Sequence, residues 1–373
     1  MKASAAGLVG TLAIGVGLAA NAQAVMETSV GSFHIVPVAE GLEEPWAIGF
    51  LTDGAFLITE REGLLKLFAA PGTDPVLVTG LPDLFRDGQG GLLDVMVPRD
   101  FATSRELWFS FSQPMPGGGG TAVGRAVLSL DGTQLQDFTT VFAMPHGSSE
   151  GRHFGSRLVE ALDGSIFVTV GDRGTGPLGM QAQEPWRAEG KIIHLNRDGT
   201  PATELSGALP GVWSMGHRNP QGATLDLEGR LLTVEHGAMG GDELNAPEAG
   251  KNYGWPIASF GLNYNGDTIG LGTSLPGTEP PLHYWDPSIA PSGLLVYSGK
   301  LIPDWRGDIL FGSLNSDFLG RLDPDAPAPT GFVEERLAGP ETARVRDVVE
   351  APDGAIWFLS VGNGTAYRLA PAE

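Results

Sequence analysis

The residues with the greatest chemical potential in this chain lie in one short region. Gly216-His217-Arg218-Asn219-Pro220-Gln221-Gly222 is followed, after one predicted strand, by Glu235-His236-Gly237-Ala238-Met239-Gly240-Gly241-Asp242-Glu243 and then by Asn252-Tyr253-Gly254-Trp255-Pro256. The guanidinium of Arg218, beside an Asn219 held extended by Pro220, can stabilise an anion or charge that develops in a reaction. The glycine-rich run can present main-chain carbonyls at Gly237 and Ala238, and calcium accepts such oxygens. His217 and His236 lie nearby, but no metal-type spacing joins them.

A weak internal repeat supplies the elements that must position these groups. Residues Phe50 to Glu60, Val159 to Asp172, Leu225 to Glu235 and Val349 to Ser360 each read as an apolar strand, an Asp-Gly or Glu-Gly turn and a second apolar strand. That pattern is the strongest short-range hairpin signal. Degenerate copies lie at Leu92 to Phe111, with Asp100 to Ser104 as the turn, and at Gly293 to Leu322, which makes six units. Six hairpin-centred units closing in a ring predict an all-β, six-bladed β-propeller, in which radial repetition protects the sheet edges. Residues 113–150 and 236–288, rich in Gly, Pro and Asn, read as long loop insertions. Strand ends on one face of such a ring surround its channel, so loop residues distant in sequence can converge there.

Composition agrees. The 55 Gly and 28 Pro stand between short apolar runs, which suits many tight turns better than disorder. Residues 1–24 read as a secretory signal, with Lys2, an apolar stretch and Ala22-Gln23-Ala24 as the cleavage pattern, leaving 25–373 as a single propeller domain. The apolar stretch is shorter than a membrane span and no later segment is long enough, so no stable membrane insertion is expected. Zero cysteines exclude a disulfide scaffold and thiolate metal sites. A net charge of -21 argues against nucleic acid as a partner, because phosphate neutralisation needs clustered Lys and Arg. The expected location is the periplasm or the exterior; the sequence carries no signal for oligomeric state.

Several segments, in order, carry a family resemblance: Gly41 to Trp46, Gly88-Gln89-Gly90-Gly91-Leu92-Leu93, His153-Phe154-Gly155-Ser156-Arg157-Leu158, Gly171-Asp172-Arg173-Gly174, the region described first, Ile289-Ala290-Pro291-Ser292-Gly293 and Arg344-Val345-Arg346-Asp347. Over roughly residues 40 to 370 the chain resembles the soluble aldose sugar dehydrogenases of the glucose/sorbosone dehydrogenase family. Those quinoproteins use pyrroloquinoline quinone (PQQ) and calcium on a six-bladed propeller.

The resemblance implies a role for each matching residue. Oxidising an aldose at its anomeric carbon needs a base for the hydroxyl proton, and an imidazole at His153 suits that task. Arg344 and Arg346, spaced by two in a predicted extended segment and so on one face, would hold the cofactor's carboxylates bidentately. Arg218 and Asn219 would lie near the quinone oxygens, with Arg218 stabilising charge gained on reduction. Carbonyls of Gly237 and Ala238 would hold the catalytic calcium; Ala238 stands where the family commonly has Pro. Glu243 and Tyr253 match positions of a second, structural calcium, Tyr253 through its main-chain carbonyl. Gln89 would sit near base and substrate, and Trp285 would stack on sugar or quinone. Asp172 reads equally as a turn-fixing or a ligand-touching residue, Asp242 as a solvated loop carboxylate, and Trp255 as blade packing.

One position departs from the pattern. Gly312-Ser313-Leu314-Asn315 replaces a family lysine that pairs with the cofactor, and Asn315 can hydrogen-bond but brings no charge. The expected activity is oxidation of aldoses to lactones, with electrons passed to an external acceptor. Two other readings compete: a calcium-dependent lactonase, which would need an all-side-chain calcium cage, and a non-catalytic sugar- or protein-binding propeller, which the missing lysine would suit.

Overall fold

A computed structural model describes residues 24–52, 54–174, 177–325 and 331–372. The signal-like stretch 1–23 and Asp53 of the first hairpin turn lie outside the described residues. Six antiparallel sheets succeed one another along the chain and close into a six-bladed propeller. Pro45–Phe50 opens the first blade, and Leu92–Met96, Leu158–Glu160, Pro220–Leu225, Pro291–Val296 and Val345–Glu350 are the innermost strands of the other five. Each of the six predicted hairpins supplies the inner strands of one blade, as with Leu225 paired to Leu231 across the Glu228-Gly229 turn.

The last blade closes the ring with both ends of the chain. Ala24–Thr28 and Gly31–Ala39 pair onto Thr365–Pro371, giving the order outer to inner of N-terminal strands, then C-terminal strands. Phe33, brought in this way, stacks on the buried Trp305 of the preceding blade at 5.1 Å, a contact worth ~0.5–1.5 kcal/mol beyond its area.

No single central core exists. Buried side chains form six slabs, each between neighbouring blades: Leu57 and Leu65 face Leu92 and Phe109, while Val234 and Leu244 face Leu294 and Phe311. Strands sandwiched this way are apolar on both faces, which explains fully buried runs such as Ile166–Val170 and Phe56–Glu60.

Residues 113–150 differ from expectation. They are not a loop insertion but carry the end of Glu106–Met115 and the two outer strands Gly118–Leu128 and Leu135–Ala143. The glycines there answer to close packing: a Cβ on Gly119 would fall 2.1 Å from the Phe85 ring, and one on Gly120 2.6 Å from the Met115 sulfur. Within 236–288, Asp242–Asn245 and His283–Trp285 are strands, and the rest is loop. The Asp100 to Ser104 turn contains one helical turn, Phe101–Ser104.

Candidate active site

The loops at one end of the ring enclose a cleft of about 780 Å³. Of the residues singled out by sequence, Gln89, His153, Arg218, Gly237, Ala238, Asn315, Arg344 and Arg346 line it. They come from five different blades or the loops between them.

His153 sits on the loop entering the third blade with φ 54°, a left-handed backbone that costs a non-glycine residue ~1–3 kcal/mol and persists only when its surroundings hold it. Three contacts do so. The Gln89 Oε1 accepts the His153 main-chain N–H at 2.7 Å, the Asn219 Oδ1 accepts that of Gly155 at 3.1 Å, and the His153 Nδ1 meets Asp172 Oδ1 at 2.6 Å. Gly171 must be glycine, since a Cβ there would lie 2.1 Å from the His153 carbonyl.

Asp172 also accepts from the Trp255 indole at 2.8 Å and the Gly174 N–H at 2.8 Å. Burial alone would raise its pKa, but the His153 hydrogen bond, the nearby Arg218 charge and the Gly174 N–H bring it below the usual carboxylate value. A carboxylate only accepts, so the proton of the neutral ring is assigned to Nδ1, and Nε2 carries the lone pair. Burial holds the His153 pKa below its ordinary value, with the charges of Arg218 and Arg152 adding and Asp172 opposing. The result is a neutral imidazole with an accepting Nε2 on a cleft wall.

The guanidiniums line the same cleft. The Arg218 main-chain N–H donates to Glu235 at 2.6 Å and its Nη1 to the His236 carbonyl at 3.1 Å, while its buried Nε has no partner among the described residues. Arg346 donates from Nη1 to Gln221 Oε1 at 2.7 Å and likewise leaves its Nε unpartnered. Burial, then the charges of Arg157 and Arg344, pull its pKa down to about 9, the signature of cations packed without enough counter-charge. The expected extended Arg-x-Arg geometry is not what brings the pair together. Arg344 has φ 54° and precedes the strand, whose pairing is irregular between Val345 and Asp347; that kink, rather than a strand's alternation, turns both side chains to the cleft.

Gly237 and Ala238 form a tight loop opposite. A Cβ on Gly237 would lie 2.1 Å from the Gly240 carbonyl, and its N–H donates to Asp242 at 2.7 Å. Asp242 is therefore no solvated loop carboxylate. Fully buried, it also accepts from the N–H groups of Ile289 and Ala290 at 2.7 and 2.8 Å and from the Ser288 hydroxyl, tying this loop to the next blade.

Four sequence candidates lie off the cleft wall. Asn219 is buried beneath the His153 loop with its Nδ2 unpartnered among the described residues. Trp285 is 3% exposed and packs on Phe311 at 4.9 Å within an interblade slab, so the stacking role expected of it is corrected to core packing. Glu243 and Tyr253 border a small cavity behind the cleft, separated from it by Arg218, His236 and Gly237. Burial, together with Glu235 and Asp242, pushes the Glu243 pKa up to about 8, and Asn245 Nδ2 bridges Glu235 and Glu243 at 2.9 and 3.0 Å. Two buried carboxylates of this kind suit a hard cation with oxygen ligands. Among the described residues no three His, Asp or Glu side chains gather as a metal cage. Asn315 is exposed at the rim and donates to the Ser288 carbonyl at 3.3 Å.

The cleft also holds residues to which sequence reasoning gave no role: Trp46, Arg61, Gln221, His236 and Tyr264. A signal for some of them existed. Arg61, Asp172 and His236 each follow, within two residues, the second strand of a hairpin repeat, so aligning the repeats marks the position at which a blade meets the site. His236 donates Nε2–H to the Pro291 carbonyl at 3.0 Å, and burial, then Arg218 and Arg346, hold its pKa down at about 3. Trp255, expected as packing, is the donor that fixes the far oxygen of Asp172.

Comparison with known proteins follows the same lines. The chain is 38% identical over 349 residues to the aldose sugar dehydrogenase YliI of Escherichia coli (strain K12), covering 91% of this chain and 93% of that one. It is 26% identical over 404 residues to the quinoprotein glucose dehydrogenase B of Acinetobacter calcoaceticus, covering 86% and 84%. The apo-form crystal structure of the soluble E. coli aldose sugar dehydrogenase superposes with a TM-score of 0.83 at 35% identity, covering 91% of this chain and 100% of that one. A PQQ-bound aldose sugar dehydrogenase from Streptomyces coelicolor gives 0.75 at 25% identity, over 91% and 98%. Residues 42–368 match the family described as glucose/sorbosone dehydrogenase, and with that span and those relatives the chain belongs to this family.

Proposed function

We propose that this chain oxidises aldose sugars at the anomeric carbon to lactones, as a PQQ- and calcium-dependent dehydrogenase, and passes the electrons to an external acceptor. One observation carries the reading: a neutral His153, held by Asp172 at 2.6 Å, opens onto the same cleft as Arg218, Arg344 and Arg346. A proton acceptor and a cluster of cations facing one space suit a reaction that removes a proton while negative charge builds beside it.

The residues fit the cofactor. Arg344 and Arg346 offer guanidinium donors for carboxylates, the buried Nε groups of Arg218 and Arg346 are donors without acceptors among the described residues, and Gly237 and Ala238 line the same cleft. Glu243 and Tyr253 would hold a second calcium behind it, with Glu235 the carboxylate that sequence reasoning omitted. When bound, PQQ supplies a two-electron acceptor and calcium a Lewis acid. His153 Nε2 takes the anomeric hydroxyl proton, and the anomeric carbon gives up its hydrogen with two electrons, leaving the lactone carbonyl. Asp172 keeps the Nδ1 proton in place and steadies the imidazolium as it forms, and Gln89 holds the main chain of the base. Arg218 balances the added negative charge.

Asn315 leaves the rim without the family lysine, and the remaining guanidiniums take up the anion binding. The lactonase reading lacks its all-side-chain calcium cage among the described residues. No helix among the described residues is long and apolar enough to cross a membrane; export to the periplasm is proposed from residues 1–24. Purified apoprotein given calcium and PQQ should reduce a dye with glucose or other aldoses. Neither PQQ binding nor dye reduction under those conditions would overturn the proposal.

A further inference from the structure

Trp46 and Tyr264 are the two large aromatic side chains among the cleft-lining residues. Trp46 is the second residue of the first innermost strand and is 3% exposed, whereas Tyr264 is 72% exposed. Buried indoles elsewhere, those of Trp285, Trp305 and Trp357, have their N–H groups sealed in apolar slabs without a partner among the described residues. The Trp46 N–H has no acceptor among the described residues, it is not one of the sealed, unpartnered donors, and Trp46 borders the cleft. A donor kept open in this way, on a residue otherwise packed, presents itself to a ligand.

The ring is braced from the channel side. The Arg157 guanidinium lies 4.3 Å from its centroid and that of Arg346 5.8 Å away. Arg157 is 5% exposed and every arm is committed: Nη1 to Asp94 at 3.3 Å and to Asp347 at 2.9 Å, Nε to the Gln221 carbonyl at 2.8 Å, Nη2 to the Arg346 carbonyl at 3.2 Å. Asp347 in turn accepts the Ile48 N–H at 2.9 Å and Asp94 that of Leu158 at 2.8 Å. Five blades are thereby tied into one buried plug. The plug touches Trp46 from one direction and the main chain of Arg346 from another, so it sets an aromatic ring and a carboxylate-binding guanidinium relative to each other.

We infer that Trp46 is a cofactor contact, its ring edge and N–H presented at the cleft wall and the N–H a donor to an oxygen of a planar, carboxylate-bearing heteroaromatic. Arg157, clamped by Asp94 and Asp347, is the positioning residue for Trp46 and Arg346. The inference rests on the proposed use of PQQ and goes beyond it, because it moves the aromatic contact from Trp285 to a different blade and assigns the buried triad a purpose.

The test uses the apoprotein with calcium and titrates PQQ, reading tryptophan fluorescence and heat of binding, with no turnover required. Trp46→Phe keeps a ring and loses the N–H; a lost hydrogen bond to a charged group corresponds to a Kd weaker by roughly tenfold or more. The quench at saturation should shrink as well, because one of the eight tryptophans, the one against the ligand, is gone. Arg157→Lys keeps the charge but not the fork, and should weaken Kd by a few-fold while the quench amplitude stays that of the native chain. Should Trp46→Phe fail to fold by circular dichroism, Trp46→Tyr is read in its place. Native Kd and native quench amplitude in the Trp46 variant would overturn the inference while leaving the proposed function standing. Absence of any PQQ binding by the native chain would remove both.

Discussion

Two histidine–carboxylate pairs stand close together in this molecule, and they do different things. His153 and Asp172 meet at 2.6 Å, His217 and Glu235 at 2.9 Å, both through Nδ1. In the first pair Nε2 is left on a cleft wall. In the second it is tied to the Ser214 hydroxyl at 2.9 Å, the ring stacks on Tyr253 at 4.9 Å, and His217 has no exposed surface. The same dyad is a base where the second nitrogen is free and a strut where it is taken. The strut also matters to the site, because Glu235 spends its other oxygen on the main chain of Arg218.

The contrast can be broken most directly by His153→Ala, which should lower turnover by ~10² to 10⁴ with little change in the unfolding midpoint. Steady-state rates near those of the native chain would show that the free nitrogen is not the base. His217→Ala should do the reverse: taking one partner from buried Glu235 and the ring partner from buried Ser214 destabilises by ~1–3 kcal/mol, measured by urea unfolding, while the folded fraction keeps most of its rate. Asp172→Asn keeps the shape of the first pair but not the charge that sets the tautomer and balances the imidazolium. A fall of about 10²-fold or more is expected, with KM for the sugar little altered.

Acidity tests the first pair and the histidine beside the cleft. His153 works as a neutral base and its pKa is held below 6.5 by burial, so kcat/KM should stay high through pH 6.5 and fall only in more acid solution. Native His236, with its pKa near 3, stays unprotonated where the unfolded chain, with an ordinary value of 6.5, takes up a proton. The unfolded state then binds more protons between those values, so stability falls as pH drops through that window; a denaturation series across it that rises toward acid would contradict the assignment. The smallest effect belongs to Trp255→Phe. It removes one of the donors on Asp172 and leaves the ring under Arg218, 5.2 Å away, so a loss of a few-fold in rate is expected, with a small shift in the acid limb.

Much of this was legible before any coordinates. Hairpin turns at Gly164, Gly229 and Gly354 announce themselves through local chemistry, because Asp-Gly and Glu-Gly between apolar strands satisfy a turn that few other residues can. The glycine run at 118–120 misled for the same reason: glycine records a lack of room as well as a turn, and the ring of Phe85 that takes the room lies more than thirty residues upstream. Trp285 misled because an aromatic residue near site loops looks the same in sequence whether it faces a cleft or a neighbouring blade.

The sequence by itself determined the repeat, and with it the six blades, the residue types a reactive cleft needs, and the family. Which of those residues meet was decided only by closing the ring. Asp172 reaches His153 across a loop, Trp255 reaches Asp172 from the next blade, and Arg157 joins carboxylates that are 253 positions apart in sequence, Asp94 and Asp347. Local propensity acts over a few residues and can be read along the chain. Pairing of buried charges depends on distances of a few ångströms between segments that share no local signal, and those distances exist only once the blades have packed.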